Sequence, residues 1–233
     1  TQAYTLSLHD ALPISPDEIG WDIRPFLKLH NAALRDQYKS DPLAFLGDHV
    51  YRRWPRSIRA VGFKLFYYHA RAHPFAQVWD YLQRDKSIAI IHIKRRNMLE
   101  QYLSLRLAHM TDVWSTARPS GQSASPISLD ADDCAKHFSE LRAQETACDD
   151  FFAAHPQKSV YFEDLASDRE TVMGEVQSFL GLRCERVHAE IARQRQVPLF
   201  QAIENYDALR VAFAETEWAS FFPDRDSGLS VRG

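Results

Sequence analysis

The chain has 233 residues, of which 45% are hydrophobic and 25% are charged, which is typical of a soluble globular protein with a sizeable core. Its net charge of −3 at pH 7 gives no overall positive field, so we predict no nucleic-acid partner and only local basic sites. No apolar run approaches the roughly 20 residues that span a bilayer, and no signal peptide is recognisable. We therefore predict a cytoplasmic protein with no transmembrane segment.

The first residues differ in character from the rest of the chain. Residues 5–14 resemble one reading-frame translation of a sequencing adapter, so we expect residues 1–15 to be a non-native leader that is left out of fold reasoning. From residue 16 to residue 233 the sequence shows neither an internal repeat nor a clear boundary. This part is predicted to form a single domain.

Two helices, a strand and a further helix that starts at Pro74 are predicted before residue 87. Pro25 and the pair Asp41–Pro42 are typical helix starts, and apolar residues recur at helical spacing after each of them. The apolar run at residues 58–66 then predicts a strand.

Residues 87–104 form the most informative stretch. The β-branched run 88–93 predicts a buried strand, and Asn97 predicts the N-cap of a helix that reaches about Met110. Alternating strands and helices in this order predict an α/β chain with a parallel sheet. In such sheets, ligands bind beyond the carboxyl ends of strands, near helix N-termini. The three cations at residues 94–96 therefore predict an anionic ligand, most simply a phosphate.

The second half of the chain continues with helices and one strand. The predicted elements are a loop at 111–126, a helix capped by Asp130 that runs to about Ala154, a strand at 159–162, a helix between Asp168 and Gly181, and a helix from about Asp207 to Phe221.

Arg96 and Ser104 are placed to bind one phosphate together. Arg96 ends the predicted strand, and Ser104 follows eight residues later, about two helical turns along. This arrangement resembles the 3′-phosphate motif of sulfotransferases that use 3′-phosphoadenosine 5′-phosphosulfate (PAPS). The resemblance extends to the sequence VYFEDL at 160–165, to FLGL at 179–182, and to GFKL at 62–65, which is similar to a segment of bacterial carbohydrate sulfotransferases.

The resemblance implies a P-loop-kinase-like α/β fold, in which helices flank a parallel sheet. It implies transfer of a sulfuryl group from PAPS to a hydroxyl of a sugar or a lipid-linked sugar. Lys64 would neutralise charge on the transferred group, and Arg96 and Ser104 would bind the 3′-phosphate. Phe162 would lie beside the adenine, at a position where the family commonly has a tyrosine.

Two further parts of the chain match the family less closely. Arg193 and Arg195 match, more loosely, a late basic loop that contacts the nucleotide. The family begins with a strand and a loop that binds the 5′-phosphosulfate, and neither is visible before Trp21, so we expect the sheet to lack its first strand and phosphate loop. Glu18 is then the candidate general base.

Each of these features also has a simpler interpretation. Arg96 and Ser104 suit an ordinary strand–helix unit with a solvated turn, Phe162 suits core packing, and Glu163 suits a structural cap or ion pair. The simpler interpretation of Lys64 is a lysine at the end of a strand that extends its ammonium group to water. For the whole chain the alternatives are a nucleotide or small-molecule kinase of the same fold, which needs a GxxxxGK[ST] loop that is not visible, and a non-catalytic interaction module.

The histidines and cysteines predict no metal site. His92 alternates with apolar strand residues, so we predict a buried histidine with satisfied hydrogen bonds. His69 and His73 can face a substrate, but their spacing is weak evidence for a metal. The three cysteines are far apart and form no CxxC pair, so reduced thiols are expected.

Overall fold

The computed structural model describes residues 32–56, 58–111, 125–186 and 197–224. The predicted leader, the predicted helix start at Pro25 and three candidate site residues, Glu18, Arg193 and Arg195, lie outside the described residues. Most of the predicted loop at 111–126 lies outside them as well.

Helices predominate among the described residues. They are α1 (Ala32–Ser40), α2 (Pro42–Phe45), α3 (Gln77–Arg84), α4 (Met98–Thr111), α5 (Ala131–Phe151), α6 (Phe162–Ser167), α7 (Arg169–Phe179), α8 (Leu199–Ala202) and α9 (Tyr206–Ala212). The strands are β1 (Ile90–Lys94) and β2 (Gln157–Tyr161), and shorter π and 3₁₀ turns cover Leu46–Val50 and Ala219–Phe221. None of these helices combines the length and apolar character needed to cross a bilayer.

The two strands form one small sheet. The main-chain N–H of Ile90 donates to the carbonyl of Pro156 at 2.8 Å, so the strands begin at the same end and run parallel. The chain between them passes through α4 and α5, which supply the long crossover that parallel strands require. The prediction of an α/β chain with a parallel sheet is confirmed, and the finer P-loop-kinase-like topology stays a prediction.

The predicted strand at residues 58–66 is wrong. This segment has no regular secondary structure, and residues 59–61 are exposed. Phe63 and Leu65 instead pack against a buried cluster that includes Trp79. A strand needs a neighbouring strand to take its main-chain hydrogen bonds, whereas an apolar run can be buried by side-chain packing alone.

The helix termini follow the sequence signals. Asp41, Asp130 and Asp168 each accept a hydrogen bond, at 3.0–3.1 Å, from the main-chain N–H three residues further on. Gly181 follows the end of α7 with a φ of +65°, a conformation that glycine adopts without steric cost. These local predictions are confirmed.

The last predicted helix is shorter than expected, because α9 ends at Ala212 instead of Phe221. The hydroxyl of Thr216 donates to the carbonyl of Phe213 at 2.8 Å and accepts from the main-chain N–H of Trp218 at 3.2 Å. A side chain thus takes hydrogen bonds that would otherwise continue the helix.

The described residues separate into two compact units. The first contains those of 32–93, 148–160 and 164–186, and the second those of 94–147, 161–163 and 197–224. The first unit has a buried cluster that includes Trp79, and a smaller one around Val160. The second has a cluster built on Phe138, Leu103 and Tyr206. Neither unit is contiguous in the chain, and the prediction of a single domain over residues 16–233 stays a prediction.

Candidate anion-binding site

A basic turn connects β1 to α4. Lys94 is the last residue of β1, and Arg95 and Arg96 follow it. Asn97 caps the helix, because its Oδ1 accepts hydrogen bonds at 3.0 and 3.1 Å from the main-chain N–H groups two and three residues further on. The predicted strand, turn and helix are confirmed. Both arginines thus precede the N-terminus of a 14-residue helix, where the helix dipole favours anions.

The residues at the end of β2 stack on this turn. The guanidinium of Arg96 lies over the ring of Tyr161, 4.2 Å from its centroid, and that of Arg95 lies over Phe162 at 3.5 Å. Phe162 begins α6, whereas the sequence predicted it within the strand. Tyr161 was not among the predicted site residues, and the alternation of side chains along a strand gave no signal for its contact with Arg96.

Glu163 binds the main chain of the same turn. Its Oε2 accepts from the N–H of Arg96 at 3.1 Å, and its Oε1 accepts from the N–H of Asn97 at 3.4 Å. The side chain of Asn97 adds a bond from Nδ2 to the carbonyl of Phe221 at 3.0 Å. The turn is therefore held by two parts of the chain that are distant in sequence.

Ser104 lies half-buried in the middle of α4. It is about 9 Å along the helix axis from Met98, at about 1.5 Å per residue. Arg96 and Ser104 belong to the same unit, so the helix fixes the spacing that the sequence suggested. Their joint binding of one phosphate stays a prediction.

Lys64 belongs to the first unit and lies in the segment without regular secondary structure that replaces the strand predicted at residues 58–66. It is half-buried, and its Nζ lies 5.2 Å from the centroid of the Phe66 ring. Burial, together with the positive charge of Lys64, lowers the pKa of His69 to about 4. The expected part of Lys64 in sulfuryl transfer stays a prediction.

The buried histidine of β1 is satisfied, as predicted. His92 is 5% exposed; its Nε2 lies 2.6 Å from Oη of Tyr67, and its Nδ1 lies 2.7 Å from Oδ1 of Asp149. Gln157 donates to the same carboxylate oxygen at 2.8 Å. His69 is also buried, and a part for it in substrate binding stays a prediction.

The described residues bring together no group of three histidine, cysteine, aspartate or glutamate side chains that suits a metal ion. The cysteines form no disulfide bond. Burial, with smaller contributions from Asp130 and Asp133, raises the pKa of the Cys134 thiol to about 12, so this thiol is not a reactive nucleophile. The prediction that the protein uses no metal stays a prediction.

A pocket that no sequence motif indicated lies in the second unit. It encloses about 470 Å³, and its polar lining includes Tyr102, Arg106, Asp130, Asp133 and Asn205. Tyr102 and Arg106 are each two positions from Ser104, about 200° around the helix. The pocket thus lies on a different face of α4 from Ser104. One arginine with two carboxylates suits a ligand rich in hydroxyl groups better than it suits a phosphate.

Residues 84–206, slightly more than half of the chain, match the Stf0 sulphotransferase family. The chain is also 27% identical over 146 residues to nodulation protein H of Rhizobium tropici. The aligned region covers 62% of this chain and 58% of that protein. The chain therefore spans less than two thirds of the length of this relative. No solved structure matches the chain significantly.

The family match runs from just before β1 to the start of α9. It includes the basic turn, α4 and the residues after β2 that hold the turn, whereas Lys64 and Glu18 lie outside it. Because the match covers more than half of the chain and all of the basic turn, this chain belongs to the Stf0 sulphotransferase family.

Proposed function

We propose that this protein is a sulfotransferase that moves a sulfuryl group from PAPS to a hydroxyl of a carbohydrate or glycolipid. The observation that carries the proposal is the turn Arg95–Asn97, which places two arginines before the N-terminus of α4 within the segment that matches the family. Family membership supports sulfuryl transfer in general. The donor, the acceptor and a cytoplasmic location belong to the proposal.

Arg96 and Ser104 are proposed to hold the 3′-phosphate of the nucleotide. A guanidinium offers planar donors that match phosphate oxygens. Its contact with Tyr161 restricts the side chain, so that less conformational freedom is lost when the phosphate binds. Ser104 adds a hydroxyl donor from α4. These features support the binding of a phosphate, and the resemblance to PAPS-dependent enzymes assigns it to the 3′ position.

The adenine is proposed to stack on Phe162. The same ring contacts the guanidinium of Arg95, so base and guanidinium would both pack on Phe162. Arg193 and Arg195, which lie outside the described residues, are proposed to contact the nucleotide as well.

In the proposed reaction the acceptor oxygen forms a bond to sulfur as the bond from sulfur to the bridging oxygen of PAPS breaks. The released electron pair stays on the 5′-phosphate, and a base takes the proton of the acceptor hydroxyl. Lys64 is proposed to neutralise the charge that develops. Glu18 is the proposed base and lies outside the described residues. Positioning of the two substrates supplies much of the remaining acceleration.

An exposed aromatic ring in the first unit supports a sugar acceptor. Phe66 and Tyr68 stack with ring centroids 5.4 Å apart and planes inclined by 14°, and Tyr68 is 67% exposed. An exposed ring with a hydroxyl presents an apolar face and a polar edge. A sugar ring, which has both C–H and O–H groups, complements such a surface.

Calorimetric titration of the full chain with 3′-phosphoadenosine 5′-phosphate (PAP) tests the donor class. We expect saturable binding that is tighter than the binding of ATP with Mg²⁺, and a loss of about fivefold in PAP affinity for Ser104→Ala, which removes one hydrogen bond. Tighter binding of ATP with Mg²⁺ would favour a kinase, and the absence of nucleotide binding would favour a non-catalytic module. Transfer from radiolabelled PAPS to a panel of glycans and glycolipids then tests the acceptor.

A further inference from the structure

We propose that Glu163 is a positioning residue that sets the affinity for the 3′-phosphate by holding the turn that presents Arg96. One carboxylate binds two successive main-chain N–H groups, those of Arg96 at 3.1 Å and Asn97 at 3.4 Å. The inference rests on the proposed function, because it assigns Glu163 a part in binding the same nucleotide.

Glu163 is one of three successive residues that contact the turn, and we name the segment Tyr161–Glu163 the clamp. Tyr161 lies against the guanidinium of Arg96, and Phe162 lies against that of Arg95. All three residues of the clamp group with the second unit, although the residues on either side of them in the chain group with the first. The grouping agrees with the contacts that the clamp makes with the turn.

The clamp holds Arg96 at both ends. Glu163 binds the main-chain N–H of Arg96, and Tyr161 contacts its guanidinium. An arginine that is held in this way loses less freedom on binding an anion. Because Glu163 already uses the N–H groups of residues 96 and 97, a phosphate at this turn would be bound by side chains rather than by these two amides.

Positioning and simple charge repulsion predict opposite effects when Glu163 is replaced. A carboxylate beside the turn repels a phosphate, so repulsion alone predicts tighter PAP binding once the carboxylate is removed. Loss of the tether predicts weaker binding. We expect the tether to dominate, because two N–H groups and two adjacent arginines already offset the charge of Glu163.

The test compares PAP with adenosine 5′-monophosphate (AMP), which lacks the 3′-phosphate, by calorimetry on the full chain. Glu163→Ala is expected to lower PAP affinity about tenfold and to leave AMP affinity unchanged. Glu163→Gln keeps one acceptor oxygen and is expected to lose less. Glu170→Gln is the matched control, since it removes the same charge from an exposed position in the first turn of α7, and its PAP affinity should equal that of the wild type.

The outcomes separate this inference from the proposed function. If the wild-type chain binds PAP no more tightly than AMP, the proposed function itself fails. If the wild type prefers PAP and both Glu163 variants bind PAP as tightly as the wild type or more tightly, only the part assigned to Glu163 fails. Thermal melting identifies the folded variants, and Glu163→Gln decides the question if Glu163→Ala does not fold. A loss confined to PAP excludes a general loss of structure, which would weaken AMP binding equally.

Discussion

His92 and Arg96 lie close together in the chain, but their nitrogen atoms are used in different ways. His92 is buried on β1, and both of its ring nitrogens are bound to side chains of the protein. Arg96 is exposed, and the clamp holds it through its main-chain N–H and through the face of its guanidinium. His92 is thus a polar group of the interior, whereas Arg96 is a cation that is fixed at the surface.

The two environments lead to different expectations. A buried polar group that loses its partner retains its desolvation cost, so the network around His92 should matter for folding. An exposed guanidinium contributes little to stability but much to recognition of a phosphate. We therefore expect variants of His92 to change the free energy of unfolding and variants of Arg96 to change the affinity for PAP.

The largest expected effect is the loss of PAP binding in Arg96→Ala. The affinity should fall about 100-fold, because a charged donor pair to phosphate is removed. The midpoint of urea unfolding should barely change, because the side chain is exposed. Arg96→Lys keeps the charge but not the planar donors, and about a tenfold loss is expected. Equal PAP affinity of all three chains would show that the 3′-phosphate binds elsewhere.

The second effect concerns the interior. His92→Leu should lower the free energy of unfolding by about 1–3 kcal/mol, because the buried imidazole gives up its hydrogen bonds to the half-buried side chains of Tyr67 and Asp149. Asp149→Asn should cost less, since Asp149 is 36% exposed and the amide keeps an acceptor oxygen. Urea denaturation measures both, and PAP affinity serves as the control. A His92→Leu chain with normal stability and no PAP affinity would place His92 in the ligand site, and its assignment to the interior would be wrong.

The sequence predicted those parts of the site that depend on local interactions. The β-branched run before Lys94 and the cap at Asn97 act within a few residues, and the same holds for Asp130 and Asp168. Arg96 and Ser104 could be proposed as one site because a helix converts a separation in sequence into a fixed distance.

The contacts of the clamp could not be predicted from the sequence in the same way. Glu163 accepts a hydrogen bond from the main-chain N–H of Asn97, which is 66 residues away in the sequence. No local sequence pattern predicts which carboxylate binds which main-chain N–H. The prediction of a strand at residues 58–66 was wrong for a related reason. Its apolar residues predicted burial correctly, but whether burial takes the form of a strand depends on a partner strand elsewhere in the chain.

Asn97 caps α4 and also belongs to the turn that carries Arg96, so its variants are expected to change both stability and PAP binding. Asn97→Ala removes the cap of α4 and the bond to Phe221, and should lower the free energy of unfolding by about 1–2 kcal/mol. PAP affinity should also fall, because the turn is loosened. Asn97→Asp keeps the capping oxygen and loses the donor to Phe221, so a smaller loss of stability is expected. Thermal melting and calorimetry on both variants check this, and unchanged PAP affinity in a destabilised Asn97→Ala chain would show that cap and binding site are independent.

The last prediction concerns the dependence of stability on pH. Burial and the charge of Lys64 lower the pKa of His69 from 6.5 to about 4, and its Nδ1 already accepts a hydrogen bond from the N–H of Phe66 at 3.3 Å. Between these two pKa values the unfolded chain binds a proton that the folded chain does not. The stabilisation is therefore complete above pH 6.5 and decreases as the pH falls towards 4.

His69→Gln should flatten the curve of unfolding free energy against pH in this range, as measured by urea denaturation at a series of pH values. His92→Leu should keep the contribution of His69, because the two rings belong to separate hydrogen-bond networks. If the slope survives in His69→Gln and disappears in His92→Leu, the proton is taken up by the His92 network, and the buried polar group of β1 is a titrating site rather than a fixed part of the interior.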